Sequence, residues 1–208
     1  MNQTPSLETL LVESVSLHGH QCPGQVLGVR MAMLGCALVG IEEPRSCRDL
    51  IVYVEIDRCV SDAIQTVTGC KLGRRTLKYV DLGKVAATFL NLETRVAFRI
   101  AAKDTSREAV WNYVDSCTNK KTAQFEGYQV MPDRELYDII HVSVDVAPKD
   151  MPGPPVARVK CQACGEGVND RREVTSQGRV LCATCADGAY YVVLDKVDAN
   201  TLVYDQGN

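Results

Sequence analysis

Apolar residues return every three or four positions at Leu7, Leu10, Leu11 and Val15, and again at Val26, Leu27, Met31, Leu34 and Leu38. That period belongs to one face of a helix, so two helices are predicted. Thr4 and Pro5 suit the N-cap and first position of the first, and Gly40 suits the C-terminal stop of the second. Leu50–Asp57 is a continuous β-rich run. A short helix over 62–68 follows, with Ser61 as its N-cap. Val85–Leu92 and Arg95–Ala101 are two further β-rich runs that predict a hairpin through Glu93 and Thr94. Thr105 with Glu108 reads as a capping box opening another helix, with Cys117 near its end as a packing residue, and 123–129 reads as helical again. Ile140, Val142, Val144 and Val146 alternate with polar residues, the period of a half-buried strand whose polar face carries His141.

The pattern breaks at Ala147–Pro155, where half of the chain's eight prolines fall within nine residues. An extended, semi-rigid linker is expected there, dividing a core over 1–147 from a separate unit over 159–208, with 148–158 between them. The chain has 208 residues, is 46% apolar and carries a formal charge of −3, which suits one well-packed domain plus a small one. Its pI near 5.7 gives no global electrostatic case for nucleic acid or an anionic membrane. No run of 18 apolar residues suggests a membrane span, and Met1–Leu17 lacks the layout of a secretory signal, so a cytoplasmic setting is expected. Ten cysteines in such a setting point to metal ligands or redox groups rather than disulfides.

Two groups of these cysteines carry chemistry. In the first, His18, His20 and Cys22 fall at every second residue of a turn between the first two helices, just before Pro23 and Gly24. Imidazole nitrogen and thiolate sulfur are donors for zinc, iron or copper. The plainer reading makes Cys22 a small buried hydrophobe beside a helix junction. Cys59 lies where a strand meets a helix N-terminus, whose unpaired N–H groups favour a thiolate. The working set is His20, Cys22 and Cys59 around one ion, with His18, Asp62 and Cys70 in reserve. Asp62 has three readings: ligand, base, or ordinary first-turn acid. Three protein ligands would leave a position open, as catalysis or sensing requires. The run Lys71, Arg74, Arg75, Lys78 and Lys84 is either a solvated face or an attraction for an anionic cofactor or substrate.

In the second group, Cys161 and Cys164 precede Cys182 and Cys185 by seventeen intervening residues, which is zinc-finger spacing. A treble clef or zinc ribbon is predicted, with zinc contributing much of the folding energy of so small a unit. The βαβ setting that a thioredoxin-like pair needs is absent. Arg158, Lys160, Arg171, Arg172 and Arg179 are offset by Glu166, Asp170 and Glu173, and no aromatic row accompanies them, so nucleic-acid binding is open but not favoured. Tyr190–Leu194 and Leu202–Tyr204 are β-like apolar pieces expected to pack on the core or on a partner.

The sequence His18–Gly24, with Leu27–Ala32, Cys59–Gln65 and Thr68–Cys70, resembles the FmdE family of formylmethanofuran dehydrogenase subunits across roughly 1–147. The resemblance implies an α+β core, in some members followed by a zinc finger, and a homodimer with interlocked subunits. The family name also implies an accessory role beside a tungsten or molybdenum enzyme that fixes carbon dioxide. Two main functions are consistent with these residues, beside the alternative of a metal-sensing or nucleic-acid-binding regulator acting through the finger. One is an accessory protein whose core holds a second transition metal, zinc first among the choices, and whose finger mediates assembly with a metalloenzyme complex, another protein or nucleic acid. The other is a metalloenzyme in which a core ion activates water or a thiol, with Cys59 and Asp62 as the catalytic candidates.

Overall fold

A computed structural model describes residues 5–115 and 119–197, in two compact units that divide between Gly153 and Pro154. Thr4, Cys117 and Leu202–Tyr204 lie outside the described residues.

In the first unit, helix α1 (Leu7–His18) is capped by Ser6, whose hydroxyl accepts from the Thr9 amide. The predicted helix therefore begins two residues later than Thr4–Pro5 suggests, because a serine with extended backbone stands next to its first turn. Gly19 ends α1 in the left-handed conformation at φ 89°, donating to the Val15 carbonyl. Helix α2 (Pro23–Leu38) starts four residues on, with Cys22 at its N-cap. The Gly40 stop is found as predicted, at φ 71°. Strand β1 (Leu50–Val54) leads to helix α3 (Cys59–Thr68). Arg58, not Ser61, occupies its N-cap; the Ser61 hydroxyl instead donates to the Ile56 carbonyl at 2.5 Å.

Strands β2 (Leu77–Tyr79), β3 (Ala86–Asn91), β4 (Ala97–Ala102) and β5 (Tyr137–Val142) complete one sheet in the order β2-β1-β3-β4-β5. Only the β1–β2 pairing is parallel. The predicted β3–β4 hairpin is present, its turn closed by Arg95 at φ 63°. Between β4 and β5 run the short helix α4 (Ser106–Ala109), α5 (Lys120–Val130) and α6 (Asp133–Leu136). Thr105 is itself helical and its side chain caps nothing, so the capping box does not form. The last strand is also shorter than its alternation suggested. It stops at Val142, and Val144 and Val146 instead pack with Ile51, Leu90 and Ala97 on one face of the sheet. As an edge strand, β5 leaves Ile139 and Ile140 41% and 51% exposed.

The other face of the sheet packs through Val52, Val54, Phe89 and Ile100 into the main core, which also holds Val26, Val29 and Met31 of α2. Two glycines bring α2 close to its neighbours. A Cβ on Gly35 would lie 2.3 Å from the Phe89 ring, and one on Gly28 would lie 2.5 Å from Ala63 Cβ and 2.6 Å from the Val60 carbonyl oxygen. Helix α3 therefore lies directly against the first half of α2, and its N-terminus is held beside the start of that helix. Arg30 fixes the far side of α2, donating to the Tyr128 and Met131 carbonyls and pairing with Asp133 at 2.6 Å.

In the second unit, β6 (Arg158–Lys160) pairs with β7 (Gly167–Asn169), and β8 (Val174–Ser176) with β9 (Arg179–Leu181), before the short helix α7 (Ala183–Asp187). Tyr190–Leu194, expected to be β-like and packed, forms no strand, and each of its residues is at least half exposed. Both hairpins of this unit are closed two-stranded pairs, so neither recruits it as a third strand.

Candidate metal centre

The turn between α1 and α2 brings together a donor set. His18 is the last residue of α1, Gly19 reverses the chain, and Cys22 stands extended at φ −152° as the N-cap of α2. Donor atoms of His18, His20 and Cys22 all lie within 4.8 Å of one another, a spacing that one four-coordinate ion can bridge with small adjustments. The two imidazole rings are 4.4 Å apart, centroid to centroid.

Asp62, on the first turn of α3, is hydrogen-bonded to the first of these residues. Its Oδ2 lies 2.8 Å from His18 Nδ1. A carboxylate only accepts, so the neutral imidazole carries its proton on Nδ1 and presents Nε2 as a bare lone pair. That Nε2 is buried and has no hydrogen-bond partner. Leaving a buried acceptor unpaired costs about 1–3 kcal/mol, and a metal ion is the partner that carboxylate-oriented histidines commonly take. The donor set thus fits a transition metal, and Asp62, an acidic residue of the first turn of α3 as one reading anticipated, also orients the His18 ring.

Cys59 stands beside the cluster as the first residue of α3. Its Sγ and that of Cys22 both flank Gly24, at 3.7 and 3.8 Å from where a Cβ would sit. Burial, and then the hydrogen bond to the Cys22 thiol, push the Cys59 thiol above its ordinary range. A cation placed beside two neighbouring sulfurs favours their thiolate forms. The fully buried Gln25 holds this corner in place. Its amide donates to the Cys59 carbonyl at 2.6 Å, and its carbonyl oxygen accepts from the Ser14 hydroxyl of α1. One side chain thereby links three helices at the site. Nothing in the local pattern singles out Gln25 except that a long polar side chain precedes the apolar Val26–Leu27.

Cys70 stands apart from this cluster. Its thiol points toward the Leu50 carbonyl in the main core, and burial raises its pKa. Cys36, in the same core, is pushed up to about 12, first by burial and then by Cys70 and Cys47. These are neutral packing thiols.

The basic run between 71 and 84 divides. Arg75 and Lys78 donate to the Lys149 and Asp150 carbonyls and so fasten the end of this unit, whereas Lys84 lines a cavity whose wall also includes Gly24 and Cys59.

In the second unit the thiols of Cys161, Cys164, Cys182 and Cys185 likewise lie within 4.8 Å of one another. Each CxxC pair forms a tight turn in which a backbone amide points at sulfur: Ala163 N–H toward Cys161 Sγ and Cys185 N–H toward Cys182 Sγ, both at 3.4 Å. Backbone donors at Cys164 and Cys182 bring the Cys161 thiol down to about 6. Hydrogen bonds with Cys182, Cys164 and Cys161 push Cys185 up to about 12. Like charges on four such close sulfurs oppose one another, and a divalent ion allows all four to be thiolates.

Comparison with known proteins agrees with this division. Residues 156–191 match the prokaryotic dksA/traR C4-type zinc finger. A probable S-adenosyl-L-methionine-binding protein of Archaeoglobus fulgidus is 30% identical over 217 aligned positions; the alignment covers 94% of this chain but only 57% of that relative's length. A crystal structure of a tungsten formylmethanofuran dehydrogenase FmdE-like protein from Syntrophus aciditrophicus superposes with a TM-score of 0.62, covering 92% of this chain and 98% of that one. At 18% identity it shows that the fold is shared. Residues 17–141 match the family described as FmdE, molybdenum formylmethanofuran dehydrogenase operon. That match spans more than half of the sequence and contains the whole His18–Cys59 donor group, and the chain belongs to the FmdE family.

Proposed function

We propose that this chain is a zinc-binding accessory protein of an oxidoreductase-type complex, with one ion in its core and a second in its finger. The observation that carries the core ion is the buried, unpartnered His18 Nε2, left as the free ring nitrogen by the Asp62 hydrogen bond in a residue clustered with His20 and Cys22. His18, His20 and Cys22 are the ligands, Cys59 is the neighbouring thiol able to complete the set, and Cys70 has no part in it. When bound, a transition metal of this kind acts as a Lewis acid or as a structural clamp. The protein's own contribution is to fix the His18 tautomer through Asp62 and to hold α3 against the turn through Gln25. The finger, in which a CxxC turn, hairpins and a short helix follow in treble-clef order, is the assembly element. A cytoplasmic homodimer that joins a formylmethanofuran-dehydrogenase-like partner is the setting we assign. Among the described residues, no helix is long and apolar enough to cross a membrane.

A second reading is favoured by one observation: Cys59 and Gly24 line a cavity of about 540 Å³, so the centre faces an open space as a metalloenzyme site does. Purification of the tagged full-length chain from cells that make it separates the two. The accessory reading expects co-elution, in fixed stoichiometry, with subunits containing tungsten or molybdenum, and loss of that co-elution in Cys161→Ser. A chain that elutes alone and hydrolyses or transfers a group by itself overturns that reading in favour of the enzyme.

A further inference from the structure

The cavity beside the core centre has an uneven charge. Five cations line it, Arg58, Lys84, Arg99, Lys103 and Arg107, against one carboxylate, Asp104. Three of the five are already answered. Arg99 makes a two-pronged pair with the buried Glu55 at 2.7 and 2.6 Å, Lys103 meets Asp138 at 3.3 Å, and Arg107 meets Asp104 at 3.5 Å. Arg58 and Lys84 have no carboxylate partner among the described residues.

Both residues are exposed and line the cavity. Arg58 is the N-cap of α3, and no side chain caps that helix; the Ser61 amide donates to the Arg58 carbonyl at 2.7 Å. Lys84 belongs to the segment leading into β3, and its amide donates to the Glu55 carbonyl. The remainder of the wall includes apolar side chains, among them Leu27, Val60 and Val85. A cavity of about 540 Å³ is of metabolite or cofactor size.

We infer that this cavity binds a phosphate monoester, with the phosphate held by Arg58, Lys84 and the first turn of α3, and the organic part against Leu27, Val60 and Val85. Two uncompensated cations match the charge of a phosphate monoester, which is close to −2 above its second pKa of about 6. A neutral ligand leaves both cations unanswered, and a monocarboxylate answers one. Uncapped helix N–H groups add donors suited to phosphate oxygens. The inference deepens the core-site reading and rests on it in part, because Gly24 and Cys59 belong to both.

The test is calorimetric titration of the full-length protein with phenyl phosphate, with phenol as the neutral counterpart and metal content measured on every sample. Phenyl phosphate binds and phenol does not. Arg58→Gln and Lys84→Gln each weaken binding about tenfold with metal content unchanged, whereas Lys71→Gln, outside the cavity, changes it less than about twofold. Binding weakens with added salt and again below pH 6, as the phosphate loses charge. Equal binding of phenol and phenyl phosphate, or equal affinity in wild type, Arg58→Gln and Lys84→Gln, overturns the inference. Cys22→Ser separates the two readings: a variant that keeps its full metal content defeats the core-ion assignment and leaves the phosphate result to stand on Arg58 and Lys84.

Discussion

Stripping metal from the finger unfolds it while the first unit keeps its cooperative melting transition. The reason is the scarcity of core. Among the described residues of the second unit only Cys161, Asp170 and Leu181 are buried, so little apolar surface offsets the entropy of ordering its hairpins. Structural zinc supplies about 10–16 kcal/mol of apparent binding energy in small fingers near neutral pH, far more than three buried side chains provide. The sulfur cluster also becomes self-opposing without the ion, since neighbouring thiolates within 4.8 Å repel one another. With a chelator, or in Cys161→Ser, proteases should cut rapidly within 154–191, and mass spectrometry of the products should return an intact fragment ending near Gly153. Protease resistance of 154–191 after complete metal removal would show that hairpin packing, not the ion, holds this unit.

Gly28→Val destabilises the first unit by about 3 kcal/mol, near the upper end for overpacked cores. Its Cβ alone would come within 2.6 Å of both Ala63 and the backbone oxygen of Val60, so helix α3 has to move rather than a flexible side-chain tip. That movement carries Cys59 and Asp62 with it, because both lie on the first turn of α3. Loss of the core ion therefore accompanies loss of stability, while finger metal stays. Gly73→Ala is the control: the site is open, and a change within about 0.5 kcal/mol is expected. Thermal melting and elemental analysis of the two variants check both parts. A Gly28→Val protein with wild-type melting would mean that α2 and α3 are not locked at this contact.

The finger was legible in the sequence because its ligands are local: two CxxC turns and a hairpin-length gap are patterns of a few residues each. The turn from His18 to Cys22 was legible for the same reason, bounded as it is by helical periodicity before it and Pro23 after it. What pattern reading could not settle was which distant groups complete that turn. Asp62 is 44 residues from His18, and its hydrogen bond depends on how α3 packs, which rests on glycines whose role shows only in contact. Cys70 illustrates the opposite error. The sequence holds it in reserve as a ligand, yet a helix rises about 1.5 Å per residue, so Cys70, just beyond the far end of α3, lies about 15 Å along its axis from Cys59. The shortened β5 has a similar cause. Alternation continued through Val146, but the last two valines satisfy it by covering a sheet face rather than by extending a strand. The start of α1 moved by two residues because Ser6, with the right backbone geometry, stands beside the expected cap, whereas α3 starts behind Arg58 with no side-chain cap at all.

Whether the chain holds one ion at His18, His20 and Cys22 and another at the four finger cysteines is decided by elemental analysis of anaerobically purified protein. Wild type, Cys22→Ser and Cys161→Ser are compared for metal per chain. About two ions are expected in wild type and about one in each variant, with the two variants losing different ions, as chelation-induced unfolding of the finger distinguishes. A wild-type content of one ion that Cys22→Ser leaves untouched and Cys161→Ser abolishes would contradict the two-ion assignment. The core cluster would then be a packed turn, and His18 Nε2 a buried nitrogen without a partner.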